Sequence, residues 1–400
     1  MEFRQIYVRL LNSLDIKTHR YMYKSFFMDE RIVGISGPHG VGKTTMMLQY
    51  IKENLYGKTE ALYFSADHIY FNENSLYEFI KKTYLEEGVK IFFIDEIHRY
   101  FSWSQEVKNI YDSFPDIKIV FSGSSMLDLI KGKYDLSRRA VLLRLEGVSF
   151  REYLYMLDIY KTEPFKFDEL IKNREEISET LSMVPKISGH FKEYLKYGYY
   201  PFSLENRKTF SDKILSIIDK TIHIDIAGFY NLKTQNLYLF KNILLFLSTS
   251  PPGQFSIHNL AQSLKVDDKT VINYLEILSE TGLVRPLTYR SGGHTMLRKP
   301  VKYYLNNSSL YHTLSHDVLD NNSTGSMRES FFLSMIQNGG LEAHYSNEGD
   351  FTVEGYTFEV GGKNKKTKQI QNIDNSFLVK DDILVAGKKE IPLYLFGFLY

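Results

Sequence analysis

Apolar residues along the first 150 positions come in short runs separated by longer amphipathic stretches. That rhythm predicts strands alternating with helices. Ile6, Leu10, Leu11 and Leu14 fall at helical spacing within residues 1–30. Arg31–Ser36 (RIVGIS) reads as a buried strand that runs into a Gly-rich turn and then a helix from Lys43 to Leu55. Residues 61–65 (ALYFS), Ile91–Ile94 and Ile117–Phe121 read as three further strands, with helices at Ser75–Tyr84 and Ser104–Phe114. Strands alternating with helices imply βαβ crossovers and a parallel sheet covered on both faces.

After Arg151 the pattern changes. Residues 151–235 are mainly helical, with one conspicuous turn at Tyr197–Pro201. Residues 236–306 read as three helices and a hairpin, punctuated by Pro251-Pro252-Gly253. From Asn307 a helix precedes short strands at Thr352-Val353, Thr357–Val360, Ser376–Val379 and Pro392–Phe398. At about 150 residues per domain, 400 residues suggest two or three domains.

Charge and composition narrow the chemistry. Lys plus Arg number 49 and Asp plus Glu 48, a net charge of +1. That excludes holding nucleic acid by bulk charge alone. Cysteine is absent, which excludes a disulfide framework, a thiolate zinc site and a cysteine nucleophile, and fits a reducing compartment. The N-terminus lacks a signal-peptide core, and the longest apolar stretch, Leu237–Leu247, is broken by Lys241 and Asn242. The expected location is therefore cytoplasmic, away from membrane. The 30 Tyr and 28 Phe against a single Trp fall mostly at helical or strand spacing and are assigned to core.

Gly37-Pro38-His39-Gly40-Val41-Gly42-Lys43-Thr44 fits G-x-x-x-x-G-K-[ST] at every fixed position, between a strand and a helix. Backbone N–H groups of such a loop close around phosphate oxygens, and the following helix adds its positive dipole end. Lys43 would reach the β- and γ-phosphates, Thr44 would hold Mg2+ through its hydroxyl, and Thr45 could contact the α-phosphate. Ile91–Glu96 (IFFIDE) is a buried strand ending in two acids. Asp95 is a Mg2+ ligand candidate, and Glu96 a candidate to take a proton from, or orient, the attacking water. Ser122, then Ser124, at the end of Ile119–Ser125 could sense the γ-phosphate; a serine-rich turn is the plain alternative. Arg139, ahead of Arg138, could stabilise transition-state charge from the same or a neighbouring subunit, or simply form a structural salt bridge. Tyr23 and Ile32 are adenine-contact candidates only by their nearness to the loop.

GPHGVGKTT at 37–45, FFIDEIH at 92–98, FSGSS at 121–125, DLSRR at 135–139 and VSFREYL at 148–154 together resemble the AAA+ class of P-loop ATPases. More closely they resemble a bacterial and archaeal family that joins such a domain to a C-terminal domain of uncharacterised function. YGYYPF at 197–202 and the Glu359–Lys363 region extend the resemblance. It implies ATPase activity, a winged-helix module and a restriction-endonuclease-like terminal fold. The expected division is an α/β P-loop NTPase sheet in 1–155, a helical extension in 156–235, a winged helix in 236–306 and a small α+β endonuclease-like domain in 307–400.

Ser256–Leu264, the turn at Lys265–Lys269 and Thr270–Thr281 read as a helix-turn-helix, with Ser291-Gly-Gly-His294 as the tip of a wing. Lys269, Asn273, Arg290 and Arg298 are candidates for a DNA backbone or groove. The segment is only modestly basic, and protein contact is the alternative. Glu329, Asp350 and Glu359 resemble the acids of a PD-(D/E)xK nuclease, where acids hold Mg2+ beside a lysine. Here Gly361 stands where that lysine belongs and Lys363 is two residues further on, so a degenerate fold is expected rather than cleavage. Lys363, Lys365, Lys366 and Lys368 could instead touch phosphate or simply solvate a surface. The expected activity is Mg2+-dependent ATP hydrolysis coupled to double-stranded or branched DNA, with a homo-oligomer possible in principle. A signalling switch that binds protein partners, and an ATP-regulated nuclease, are the alternatives.

Overall fold

The computed structural model describes all residues except 1, 28, 124–135, 137, 231, 233–235, 251–255, 290–301, 316–322, 366–369 and 371. The chain divides into two compact units, residues 1–146 and 147–400.

The first unit is built on a five-stranded parallel sheet. Its strands are β1 (Ile32–Ser36), β2 (Ala61–Ser65), β3 (Ile91–Asp95), β4 (Lys118–Gly123) and β5 (Val141–Arg144), in the order β2-β3-β4-β1-β5. The helices are α1 (Glu2–Ser13), α2 (Lys43–Tyr50), α3 (Leu76–Glu87) and α4 (Trp103–Ser113). Strands β1 to β4 match the sequence pattern because each is an apolar run buried on both faces, as a covered parallel sheet requires. The pattern missed β5, a four-residue edge strand that is only partly buried. β4 lies between β1 and β3, so the serine-bearing strand sits between the two strands that carry the phosphate loop and the paired acids.

Helix α1 is shorter than the pattern implied and turns a different face inward. Phe3, Tyr7 and Leu11 are its buried stripe, four residues apart, rather than Ile6, Leu10 and Leu14. The Phe3 ring meets Phe64, Tyr70 and Phe79 edge-on at centroid distances of 5.9, 5.5 and 5.0 Å. Such T-shaped contacts set the negative face of one ring against the positive edge of another. Here the aromatic surplus is core material. Ser75 caps α3 by accepting from the Glu78 amide, and Gly88 ends it in the left-handed conformation.

The second unit opens with helices α5 (Phe150–Met156), α6 (Phe167–Lys172), α7 (Arg174–Ser182), α8 (Ile187–Glu193), α9 (Phe210–Lys220) and α10 (Ala227–Tyr230). A capping box of Ser149 and Glu152 starts α5. Then come α11 (Leu237–Thr249), α12 (Ile257–Leu264), α13 (Asp268–Glu280) and an antiparallel pair, β6 (Val284–Leu287) with β7 (Lys302–Leu305). Asp267 caps α13 through the Thr270 amide, and the helix begins at Asp268, two residues ahead of the expected start. Helices α14 (Ser308–Ser315) and α15 (Ser323–Asn338) lead into a second sheet. Its strands are β8 (Ala343–Tyr345), β9 (Phe351–Val353), β10 (Tyr356–Gly361), β11 (Ser376–Lys380) and β12 (Glu390–Pro392), paired in the order β12-β11-β10-β9-β8.

One expected strand is corrected. Pro392–Phe398 contributes only the end of β12, and Leu393–Phe398 forms a tight 3-10 turn buried throughout. A fully buried apolar run carries no period, so sequence alone does not separate strand from helix there. Arg285 on β6 is buried and donates to the Asn306 carbonyl at 2.8 Å, Gln337 Oε1 at 3.0 Å and Asn338 Oδ1 at 2.6 Å. Thus the hairpin is tied to α15 within this unit. Among the described residues no helix is long and apolar enough to cross a membrane.

Candidate active site

The phosphate loop joins β1 to α2 at the C-terminal edge of the first sheet. Its glycines are dictated by geometry. Gly37 has φ of 148°, and a Cβ there would stand 2.2 Å from the Leu145 carbonyl oxygen. Gly42 caps α2 at φ 98°, a conformation that L side chains rarely adopt. Lys43 is buried, and its ammonium donates to the Gly37 and Pro38 carbonyls at 2.7 and 3.0 Å. Val41 is fully buried, and the buried Arg20 guanidinium donates to its carbonyl and to that of Glu146 at 2.7 Å. Thr45, the next residue on α2, is exposed.

The end of β3 meets this loop. Thr44 Oγ1 donates to Asp95 Oδ2 at 2.6 Å, and Tyr63 OH, from the middle of β2, donates to the same oxygen at 2.9 Å. Burial, reinforced by Asp95, holds the Tyr63 hydroxyl well above its ordinary pKa, so it stays a donor. Ser122 Oγ donates to Asp95 Oδ1 and accepts from the Glu96 amide at 3.1 Å. Three hydroxyls from three elements therefore fix one carboxylate. Glu96 follows in the left-handed conformation (φ 49°), which is sparsely populated for a non-glycine residue. His39 Nδ1 stands 3.9 Å from one of its carboxylate oxygens, and His98 Nε2 stands 3.5 Å from the other.

The structure thus brings Lys43, Thr44, Asp95, Glu96 and Ser122 together. The Ser122 hydroxyl is committed to Asp95 and the Glu96 amide, a bracing contact. Arg139 stands elsewhere. It pairs with Asp112 at 3.2 Å and lies over the Tyr111 ring, near the C-terminal end of α4. It also directly precedes β5, so it lies at the opposite edge of the sheet from the loop. A role toward the γ-phosphate of the same chain is corrected on that ground. Arg138 beside it is exposed, and Ser124 lies outside the described residues.

Ile32 is buried in the core at 1% exposure, so the proposed adenine contact there is corrected. Tyr23 packs against the His19 ring at 4.0 Å, tilted by 35°, and donates to Glu53. Arg20 and Tyr21 are the N-terminal side chains that reach the neighbourhood of the loop. Tyr21 OH donates to the Arg144 carbonyl at 3.0 Å and accepts from the Glu146 amide at 3.2 Å. No sequence motif marked them, because the contacts are to main-chain groups well along the chain.

A second charged cluster lies in the other unit. Glu329 on α15 accepts from Tyr304 OH at 2.8 Å. Burial, then the neighbouring Asp350, push its carboxyl up to about 7, against the pull of Lys302. Asp350 accepts from the Val360 amide at 2.9 Å and faces Lys302 at 3.9 Å. Glu359 on β10 is raised by burial and by Asp350, and pairs with Lys365 at 2.6 Å. The lysine at the acids is therefore Lys365 rather than Lys363. A Cβ at Gly361 would stand 2.8 Å from three Lys365 side-chain carbons. Lys365 folds back through the space that a side chain at 361 would fill. Among the described residues no group of three or more His, Asp or Glu side chains could hold a metal ion. Lys366 and Lys368 lie outside the described residues.

Residues 29–154 match the family model described as an AAA domain, and residues 188–323 match a domain of unknown function, DUF8612. The parallel sheet, the loop and the AAA match agree: the first unit has the α/β fold of a P-loop domain and is similar to AAA domains. The chain is similar to "Uncharacterized protein MJ1637" of Methanocaldococcus jannaschii, 27% identical over 403 residues, covering 90% of this chain and 82% of that protein. It is also similar to a Haemophilus influenzae "Uncharacterized protein", 24% identical over 293 residues, 69% of this chain and 67% of that one. Among solved structures, AMPPCP-bound DnaA from Aquifex aeolicus is similar over 70% of this chain and 89% of that chain, at 18% identity and a TM-score of 0.28.

Proposed function

We propose that the protein binds ATP with Mg2+, hydrolyses it, and couples its nucleotide state to DNA. The observation that carries this reading is the meeting of Thr44 and Asp95 at 2.6 Å beside Lys43 and Glu96. Thr44 and Asp95 present two hard oxygen donors, the ligand type that Mg2+ takes, so these residues fit the ion. When bound, Mg2+ would neutralise charge on the β- and γ-phosphates. Lys43 rests on the Gly37 and Pro38 carbonyls within the loop and would exchange them for phosphate oxygens. Glu96 would orient the attacking water and take its proton. Ser122 and Tyr63 would keep Asp95 aimed. With Arg139 at the far edge of its own sheet, it or Arg138 would act only on nucleotide held by another copy, which makes a homo-oligomer part of the reading.

For DNA, α12, α13 and the β6–β7 hairpin are read as a winged helix. Lys269 and Asn273 are exposed one turn apart on α13, the geometry of a helix face approaching a groove. Two of the basic residues of 236–306, Arg285 and Lys302, are committed inside the unit to Asn306 and Asp350. Arg290 and Arg298 lie outside the described residues. The test is ATPase rate with and without duplex, branched and single-stranded DNA, beside anisotropy titrations at several salt concentrations. Stimulation by DNA and a steep salt slope support the reading. ATP turnover with no response to any DNA would remove the DNA half of it and leave the ATPase.

A further inference from the structure

Two histidines enclose the carboxylate that the proposed hydrolysis depends on. His39 comes from the phosphate loop itself and His98 from the turn that follows β3. Their side chains are 8% and 5% exposed, and the Glu96 side chain between them is 19% exposed. The imidazoles stand 6.5 Å apart by ring centroid, inclined at 57°, each toward a different carboxylate oxygen. His98 has a second neighbour. A Cβ on Gly123, the last residue of β4, would lie 3.7 Å from His98 Nδ1, in ordinary contact. The His98 ring thus spans the gap between Glu96 and the end of the strand that carries Ser122.

We infer that His39 and His98 are positioning residues that hold the Glu96 carboxylate at the angle needed to meet a water on the γ-phosphate. This rests on the reading of Glu96 as the base. Glu96 leaves β3 in a left-handed conformation, so its side-chain direction is not set by the strand's alternation. Such strain persists only where the surroundings over-determine it. Separations of 3.5 and 3.9 Å are longer than a hydrogen bond, and catalytic contacts commonly tighten once substrate is in place. His39, being part of the loop, would carry a shift of the loop on phosphate entry directly to Glu96. A small error in the angle of a base costs rate without costing substrate affinity.

The test uses the full-length protein and Mg2+-ATP. His98→Ala should lower kcat at least tenfold while KM and the affinity for a fluorescent ATP analogue stay within about twofold. His98→Gln, whose amide N–H reaches as far as the imidazole Nε2, should recover most of the lost rate. His39 faces Glu96 through Nδ1, so His39→Asn, whose amide N–H stands where that nitrogen does, against His39→Ala should show the same order. Thermal unfolding of each variant checks that the fold survives. The inference is overturned if His98→Ala leaves kcat unchanged, if His98→Gln and His39→Asn are as slow as the matching Ala variants, or if affinity falls in step with rate. Should Glu96→Gln turn over ATP at the wild-type rate, it is the assignment of the base that fails, a different result from any of these.

Discussion

Thr44 Oγ1 lies 2.6 Å from Asp95 Oδ2, so the first turn of α2 and the last residue of β3 are locked together across the top of the sheet. Two substitutions probe that lock. Thr44→Val keeps the shape and removes the hydroxyl, and Asp95→Asn removes the charge. Both should reduce nucleotide affinity in Mg2+ by tenfold or more and leave affinity in EDTA nearly unchanged. Titration of a fluorescent ATP analogue with and without chelator measures this. An equal loss in both conditions would show that the pair serves the fold of the loop rather than a metal.

Gly37 and Gly57 give a controlled comparison of backbone strain. Both have positive φ, but a Cβ at Gly37 collides with the Leu145 carbonyl at 2.2 Å, whereas Gly57 has nothing within 4 Å. Gly57→Ala should cost about 1 kcal/mol, the ordinary left-handed penalty. Gly37→Ala should cost more, about 1–3 kcal/mol above that, because backbone must move. Denaturant midpoints of the two variants decide it, and equal midpoints would contradict the geometry.

Glu329 makes stability depend on pH in a defined direction. Its folded carboxyl titrates at about 7 against an ordinary value of 4.5, raised by burial and by Asp350 and opposed by Lys302, Tyr304 and Lys365. Between those values the folded state holds the proton more tightly than the unfolded state, so this group lowers stability as pH rises. Glu329→Gln mimics the protonated acid. It should raise Tm relative to the parent at pH 8 and lose that advantage at pH 4. A Tm difference that is flat across the range would contradict the assignment.

Arg285 is a buried guanidinium satisfied by Asn306, Gln337 and Asn338. Arg285→Ala leaves those acceptors unpaired and opens a cavity, at a cost of about 3 kcal/mol or more. If Arg285 instead served nucleic acid, the same change would spare stability and weaken DNA binding. Chemical denaturation beside DNA titration separates the two outcomes.

Much of the nucleotide site was legible because each part declares itself locally. Gly37 to Thr44 has fixed spacing, and the β3 run ends in Asp95 and Glu96. What escaped depended on long-range placement. β5 is a short edge strand whose half-exposed residues give no clear period. Arg139 looked near the γ-phosphate in sequence, yet it precedes β5 and so emerges at the opposite sheet edge. Lys363 had the closer spacing to Glu359, but the chain folds so that Lys365 covers Gly361. The face of α1 was misread in part because Phe3 packs onto the aromatic core and Tyr7 and Leu11 share its buried stripe, leaving Ile6 and Leu10 less covered.

Glu96→Gln tests the central claim most directly, with turnover and nucleotide binding measured on the same preparation in Mg2+. The account predicts that the wild type hydrolyses ATP and that the variant binds it with nearly unchanged affinity while turnover falls by roughly 100-fold or more, the scale of a lost general base. Undiminished hydrolysis by Glu96→Gln would contradict it.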